Sequence, residues 1–371
     1  MSVAQRAPAH LAPAYVQAIS PYVPGKPISE LAREMGLNEA DIVKLASNEN
    51  PLGMSPKARA AIDAVLSDIA RYPDGNGFAL KQALSKKFGV TPESLVLGNG
   101  SNDVLEMAVR AFLKPGDSAV YSQHAFAVYP IEVLAIGARG IVTPALQYGH
   151  DLDAMAKAIE ADTRMVFIAN PNNPTGNFLP GAQIKAFLER VPAEVLVVLD
   201  EAYNEYLAPG QRYDSIAWLK QHPNLIITRT FSKIYGLAGL RVGYAVANEE
   251  VAGMLNRVRQ PFNVSSLALV AAEAAVDDDA FLQQSYEVNR AGMAQLLKGL
   301  GELGYETIPS SGNFLTFKAG DAAGINQRLL KQGVIVRPIG GYGMPEWLRV
   351  SIGLESENKR FLDALAVAEK G

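Results

Sequence analysis

The stretch LIITRTFSK, residues 225–233, decides the fold of this chain, because it joins an apolar strand candidate to a lysine framed by hydroxyl groups. Lysine is the side chain that forms Schiff bases with carbonyl compounds, and burial or neighbouring cations lower its pKa for that reaction. A lysine just beyond a buried strand, followed by several glycines, differs from an ordinary surface lysine. The functional interpretation is that Lys233 is a reactive residue. The alternative, if this stretch is considered alone, is an ordinary surface lysine.

Five further apolar runs accompany this strand candidate, and the six lie at 94–97, 118–121, 165–169, 195–199, 225–228 and 243–247. Several of them are apolar on consecutive residues, which is typical of parallel strands covered on both faces. Segments with helical patterns, such as 153–161 and 181–190, lie between the runs. The sequence therefore predicts an α/β fold with a mostly parallel sheet sandwiched by helices.

The pattern changes after about Pro261. A long helical stretch, 265–303, precedes short strand candidates at 314–318, 334–337 and 348–352. We therefore predict a large domain at 46–260 and a smaller α+β domain at 261–371. The proline-rich start of the chain reads as an extended arm, and we assign 1–45 to an N-terminal arm that packs with the small domain.

Composition excludes several classes of function. The chain has 371 residues, 49% of them hydrophobic, which is ample for a large core and two domains. Its net charge is -4 without any long basic run, which argues against nucleic-acid binding. It has no cysteine, hence neither disulfides nor thiolate metal sites. No apolar run resembles a secretion signal or approaches the roughly 20 residues that span a bilayer. We expect a cytoplasmic protein without a metal.

Four of the predicted strands end in polar loops, at 98–102 (GNGSN), 170–174 (NPNNP), 200–201 (DE) and 229–233 (RTFSK). Ligands of open α/β sheets bind beyond the carboxyl ends of the strands, so these loops predict one shared site. The glycines at 98 and 100 suit a phosphate at a helix start, although a tight turn with a helix cap is the alternative. Asp200 suits a carboxylate that keeps a heterocyclic nitrogen protonated; an ion pair or a helix N-cap is the alternative.

Together these segments resemble the fold type I aminotransferases that use pyridoxal 5′-phosphate (PLP), in order and in spacing. The resemblance covers nearly the whole chain, from PYVPGKP at 21–27 through SNENPLG at 47–53 and RYPDG at 71–75 to LRVSIG at 348–353. The segment TFSK at 230–233, with an arginine eight residues further on, is specific to the PLP fold. The segments at 21–27 and 47–53 favour the branch of this family that acts on histidinol phosphate. The implied reaction is ping-pong transamination between L-histidinol phosphate and 2-oxoglutarate, a step of L-histidine biosynthesis.

The resemblance implies roles for the residues of the site. Lys233 would hold PLP and act as general acid–base, and Asp200 would hold the proton of the pyridine nitrogen. Asn173 and Tyr203 would hydrogen-bond the phenolic oxygen of the ring, and Phe126 would lie over its face. The residues implied for the cofactor phosphate are Gly100, Ser101, Asn102, Thr230, Ser232 and Arg241, with Tyr72 reaching in from a neighbouring subunit. A homodimer with shared active sites follows.

The residues implied for substrate binding are Tyr22, Asn48, Arg337 and Arg349. Two positions depart from the family pattern: Asn102 replaces a more usual acidic residue, and Phe126 replaces a more usual tyrosine. For His124 we favour a structural role over contact with an imidazole. Two other PLP enzymes remain as alternatives, an aromatic amino-acid aminotransferase and, with a different reaction, a threonine-phosphate decarboxylase. A PLP-sensing regulator is disfavoured, because no DNA-binding segment is visible.

Overall fold

The computed structural model describes residues 8–369. The α-helices are α1 (Ala14–Gln17), α2 (Ile28–Met35), α3 (Pro56–Val65), α4 (Phe78–Phe88), α5 (Ser101–Phe112), α6 (Val128–Ala135), α7 (Leu152–Lys157), α8 (Gly181–Leu188), α9 (Glu249–Val258), α10 (Ser266–Val276), α11 (Asp279–Glu302), α12 (Ala322–Lys331) and α13 (Glu355–Ala368). The strands are β1 (Val43–Lys44), β2 (Leu95–Gly98), β3 (Ser118–Ser122), β4 (Arg139–Thr143), β5 (Ala145–Leu146), β6 (Gly149–His150), β7 (Thr163–Ala169), β8 (Leu196–Asp200), β9 (Leu225–Thr230), β10 (Gly243–Ala247), β11 (Thr307–Ile308), β12 (Phe314–Lys318), β13 (Val334–Ile335), β14 (Arg337–Pro338) and β15 (Trp347–Ser351). None of the helices within 8–369 is long and apolar enough to cross a membrane.

A seven-stranded sheet forms the centre of the molecule, in the order β2-β10-β9-β8-β7-β3-β4. Its neighbouring strands are parallel except at β10, which is antiparallel to both β2 and β9. All six apolar runs form strands of this sheet, and β4 is an edge strand that the sequence did not suggest. The prediction of a mostly parallel sheet is confirmed.

Helices cover both faces of this sheet. Helices α3, α4, α7, α8 and α10 contribute to the apolar core on one face, and α5, α6 and α9 to the core on the other. Side chains along each strand alternate between the cores: Val197 and Leu199 of β8 enter the first, and Leu196 and Val198 the second. This alternation fixes which side chains beyond the strand ends share a face.

A four-stranded antiparallel sheet, β11-β12-β15-β14, lies nearer the C-terminus and packs with α11, α12 and α13 around a third core. Two predicted elements need correction. The candidate at 334–337 is two short strands, because β13 pairs with β1 whereas β14 pairs with β15. The helical stretch 265–303 is two helices, interrupted at Asp277 and Asp278, since aspartate favours helix ends over helix interiors.

Helix α11 joins the two parts of the fold. Leu282 packs against the core of the large sheet, whereas Leu296 lies in the core of the small one. The segment before the large sheet also reaches the small one, because Leu45 lies in the third core together with Leu348 of β15. The domain limits at residues 45 and 260 stay a prediction.

Candidate active site

A cavity of about 840 Å³, including its open mouth, lies beyond the carboxyl ends of β7, β8 and β9. It collects residues from the loops of the large sheet, from the N-terminal segment and from the small sheet. The predicted site residues in its wall are Tyr22, Asn48, Ser101, Asn102, Phe126, Asn173, Asp200, Tyr203, Thr230, Ser232, Lys233, Arg241, Arg337 and Arg349. Residues spread over more than 300 positions therefore meet in one place.

Lys233 lies three residues beyond β9, where the strand ends in a tight turn. Its Nζ donates to the carbonyl oxygen of Ser47 at 3.1 Å and lies 5.6 Å from the ring centroid of Tyr203. Burial lowers the pKa of Lys233 to about 7, and the positive charges of Arg349 and Arg241 act in the same direction. A large fraction of the amine is thus uncharged near neutral pH, in the form that attacks carbonyl carbon.

Asp200 is the last residue of β8 and only 5% exposed. Tyr129 Oη donates to its Oδ2 at 2.8 Å, and Thr228 Oγ1 donates to its Oδ1 at 3.0 Å. Burial raises the pKa of Asp200, which the two hydroxyl groups oppose, and no basic side chain within residues 8–369 forms an ion pair with it. A buried carboxylate of this kind suits a ligand that brings its own positive charge.

Tyr203 and Asn173 line the same cavity as this carboxylate. Asn48 Nδ2 donates to Tyr203 Oη at 2.9 Å, and burial raises the pKa of Tyr203 to about 12. Arg349 Nη1 donates to Asn173 Oδ1 at 2.5 Å. Tyr203 is therefore a hydroxyl donor at neutral pH. Asn48 also accepts from Ser351 Oγ at 3.1 Å, and its two hydrogen bonds orient the Tyr203 hydroxyl group.

An anion site lies where α5 begins. Gly100 caps this helix with a φ of 83°, a backbone conformation that residues other than glycine rarely adopt, and a Cβ there would also collide with the Arg241 guanidinium. Arg241 Nη1 donates to Ser232 Oγ at 3.2 Å, and the Ser232 amide donates to Thr230 Oγ1 at 3.1 Å. We call the following residues the phosphate cradle: Gly100, Ser101, Asn102, Thr230, Ser232 and Arg241. A helix N-terminus, hydroxyl groups and a guanidinium together suit a phosphate.

Two arginines of the small sheet face the cavity from the opposite side. Arg349 is 5% exposed; its Nη2 donates to the Ala46 carbonyl oxygen at 2.8 Å, and its Nε has no partner within residues 8–369. Arg337 Nη2 donates to the Val23 carbonyl oxygen at 2.6 Å, and its guanidinium carbon lies 5.3 Å from the ring centroid of Tyr22. Burial, and to a smaller extent the charge of Arg337, lowers the pKa of Arg349.

Three further residues that the sequence analysis singled out are Phe126, Tyr72 and His124. Phe126 lines the cavity, whereas Tyr72 lies outside it, 83% exposed and stacked on Phe262 with ring centroids 4.7 Å apart. Within this chain Tyr72 does not reach the phosphate cradle. His124 is buried, and its Nδ1 hydrogen-bonds the carbonyl oxygen of Tyr342 at 2.7 Å, which agrees with a structural role.

The sequence reasoning missed three partners of the site. Tyr129 and Thr228 hold Asp200, and the carbonyl of Ser47 holds Lys233. The strand pattern carried a signal for Thr228 alone, since Thr228 is the first polar residue after the apolar residues 225–227 of β9. Nothing in the sequence pointed to the other two.

The donor set as a whole fits PLP. The Lys233 amine suits its carbonyl group, Asp200 its ring nitrogen, Tyr203 and Asn173 its ring oxygen, and the phosphate cradle its phosphate. Each match follows from the charge and hydrogen-bonding capacity of the side chains in the cavity. The four groups are the polar features that distinguish this cofactor.

Comparisons with known proteins agree with this geometry. The family described as aminotransferase class I and II matches residues 40–365. Histidinol-phosphate aminotransferase 1 of Dechloromonas aromatica (strain RCB) is 65% identical over 354 residues, 95% of this chain and 97% of that protein. Histidinol-phosphate aminotransferase 2 of Nitrosospira multiformis is 63% identical over 359 residues, 96% of this chain and 92% of that protein. The resemblance inferred from the motifs is confirmed.

Solved structures show the same fold. A histidinol-phosphate aminotransferase from Sinorhizobium meliloti in complex with pyridoxal-5′-phosphate superposes with a TM-score of 0.89 at 28% identity, covering 96% of this chain and 97% of that one. An aspartate aminotransferase from Thermus thermophilus, a double mutant, superposes with a TM-score of 0.84 at 23% identity, covering 96% and 99%. The predicted fold class, PLP fold type I, is confirmed.

Proposed function

Because the chain belongs to the class I and II aminotransferases, we propose that it is a PLP-dependent histidinol-phosphate aminotransferase. It exchanges the amino group of L-histidinol phosphate for the oxo group of 2-oxoglutarate, giving imidazole acetol phosphate and L-glutamate, a step of L-histidine biosynthesis. The two relatives with this name are similar over nearly the whole chain, and the S. meliloti neighbour binds the cofactor.

One observation carries the proposal: the cavity joins an amine with a pKa of about 7, a buried carboxylate that forms no ion pair within residues 8–369, and a buried guanidinium. Lys233 and Asp200 supply what PLP needs, and Arg349 supplies what an anionic substrate needs. A structural role for all three would leave their charges without oppositely charged partners among residues 8–369, although each group is hydrogen-bonded, and buried charged groups are costly unless paired.

When bound, PLP supplies an electron-withdrawing ring and carries the amino group between the two half-reactions. Lys233 holds the cofactor and afterwards moves a proton at the substrate Cα, for which a pKa near 7 is well matched. Asp200 holds the proton on the ring nitrogen, and Tyr203 and Asn173 hold the ring oxygen. The phosphate cradle fixes the cofactor at its other end, and Phe126 covers one face of the ring.

The two arginines explain how one site accepts two different substrates. Glutamate offers a carboxylate, whereas histidinol phosphate has none and offers a phosphate. A guanidinium fork binds either group through paired N–H donors. We assign Arg349 to this role, with Arg337 and Tyr22 beside it. Asn48 acts through Tyr203.

We also propose that the enzyme is a cytoplasmic homodimer in which Tyr72 completes the phosphate cradle of the partner subunit. Tyr72 is supported as an intersubunit residue by its position on the surface of its own chain. Two apolar residues near it in sequence are exposed as well, Ile69 at 62% and Phe78 at 67%. Asn102, at the mouth of the phosphate cradle, is exposed as well. An exposed apolar surface of this kind is typical of a subunit interface.

A panel of amino donors tests the proposal. We expect kcat/KM with 2-oxoglutarate to be far higher for histidinol phosphate than for histidinol, phenylalanine or tyrosine, because a buried arginine left without its anion is costly. Each half-reaction is followed separately by the change in cofactor absorbance on adding one donor. Phenylalanine or tyrosine outpacing histidinol phosphate would make the protein an aromatic aminotransferase, and release of CO₂ from threonine phosphate would make it a decarboxylase.

A further inference from the structure

A buried ion pair lies directly behind the cofactor site. Arg229 donates to Glu201 Oε2 through Nε at 3.0 Å and through Nη2 at 2.8 Å. The Glu201 side chain is 0% and the Arg229 side chain 8% exposed. The guanidinium carbon also lies 5.1 Å from the ring centroid of Phe88. Both partners are therefore held in one geometry.

Strand register places this pair one residue from the catalytic groups. Asp200 of β8 pairs with Thr228 of β9, and the Glu201 amide donates to the Thr228 carbonyl oxygen at 2.9 Å. Because side chains alternate along strands, Asp200 and Thr228 lie on one face of the sheet, where Asp200 lines the cavity, whereas Glu201 and Arg229 point to the other face. The ion pair and the Asp200–Thr228 hydrogen bond thus clamp the same two strand ends from opposite faces.

The same strand end leads into the rest of the site. Arg229 precedes Thr230 of the phosphate cradle and lies four residues before Lys233. On its other side β9 pairs with β10, where Arg229 stands opposite Tyr244. A shift of Arg229 would therefore move the strand end that supports Asp200, Thr230 and Lys233 together.

We propose that the Glu201–Arg229 ion pair is a positioning element of the active site, which fixes the ends of β8 and β9 so that Asp200 and the phosphate cradle keep the spacing of the bound cofactor. Neither partner touches the cavity side of Asp200. This inference rests on the proposed function for its cofactor, PLP, and adds residues that act through others. A buried ion pair contributes little to the stability of a fold, since apolar side chains of similar size often stabilise it equally well.

Three variants separate positioning from stability. Glu201→Gln keeps the acceptor oxygen and removes the charge, Arg229→Lys keeps the charge and removes the fork, and the double variant Glu201→Met/Arg229→Met removes both charges. For each, the dissociation constant of PLP is measured by titrating the apoenzyme, and kcat and KM are measured with histidinol phosphate. The matched control is Ile184→Ala on α8, a buried apolar residue of the same core that belongs to neither strand.

We expect all three variants to bind PLP more weakly and to lose kcat by roughly ten- to hundredfold, the scale of a small misplacement of reacting groups. KM for histidinol phosphate should change little, because Arg349 lies on the other sheet. The double variant should regain thermal stability without regaining PLP affinity. Ile184→Ala should lower the melting temperature and leave PLP binding and kcat unchanged.

Two results overturn the inference: a Glu201→Gln enzyme with parental PLP affinity and kcat, or a double variant that recovers both. An insoluble double variant also counts against it, because the pair would then be a requirement for folding. Failure of the proposed function can be distinguished from failure of this inference. If the parent enzyme binds PLP but does not react with histidinol phosphate, the PLP affinities of the parent and the variants can still be compared.

Discussion

Replacing Asp200 with asparagine should remove catalysis without weakening the fold. Asparagine has nearly the same shape, and its Oδ1 can still accept from Thr228 while its amide donates to the hydroxyl oxygen of Tyr129. In the folded protein, burial raises the pKa of Asp200 above its unfolded value. The folded state then binds the proton more tightly, so the ionised carboxylate opposes folding once the pH exceeds the unfolded pKa. Asp200→Asn should therefore melt no lower than the parent as apoenzyme at pH 7.

The catalytic loss should be large, because the carboxylate acts at 5% exposure, where water screens little of its charge. Removing one electrostatic group from such a site costs about 2.7–4 kcal/mol, or roughly a hundred- to a thousandfold in kcat. The assay is kcat at saturating PLP, with the apoenzyme melting temperature measured in parallel. Asp117→Asn is the matched control, a buried carboxylate at the amino end of β3 that accepts from the Lys114 amide. The reasoning is refuted if Asp200→Asn retains kcat within about twofold, or if Asp117→Asn loses as much.

Three further predictions concern the amine, the substrate anion and the assembly. Borohydride trapping of PLP on Lys233 should rise with pH through a midpoint near 7, because the lowered pKa frees the amine there. A midpoint above about 9 would contradict burial as the cause. Arg349→Ala should raise KM for both histidinol phosphate and glutamate. Arg349→Lys should restore only part of the lost affinity, since lysine lacks the planar guanidinium fork. A change in KM for one donor alone would mean separate anion sites. Mixing inactive Lys233→Ala chains with inactive Tyr72→Phe chains should restore activity, because each hybrid dimer has one site in which both residues are intact. A fully active monomer would exclude a shared site.

The strands of the large sheet and the position of the site could be predicted from the sequence for one physical reason. Strands buried on both faces must be apolar throughout, so the change to polar residues marks where each strand leaves the core. Asp200 and Lys233 stand at such changes, and the structure brings both into the cavity. The edge strand β4 was not predicted, because only one of its five residues, Thr143, is buried and the strand has no continuous apolar run.

The contacts that hold the site could not be predicted in the same way. Tyr129 and Asp200 are 71 residues apart, and Asn48 and Ser351 are 303 apart. Each of these side chains is also plausible as an ordinary polar residue in a turn or at a helix start. Their pairing depends on strand order and on how the small sheet meets the large one, which local patterns do not encode.

The meeting of the two sheets also explains why the site suits an anion. Arg337 and Arg349 stand directly opposite each other on β14 and β15, so two positive side chains share one face of the small sheet. That arrangement is unfavourable by itself, and the lowered pKa of Arg349, caused first by burial and then in part by Arg337, reflects it. Arg349 already donates to Asn173, the residue that we assign to the cofactor ring. A carboxylate or phosphate bound between the arginines would relieve their repulsion and tie the small sheet to the cofactor side, so that anion binding and alignment of the cofactor reinforce each other.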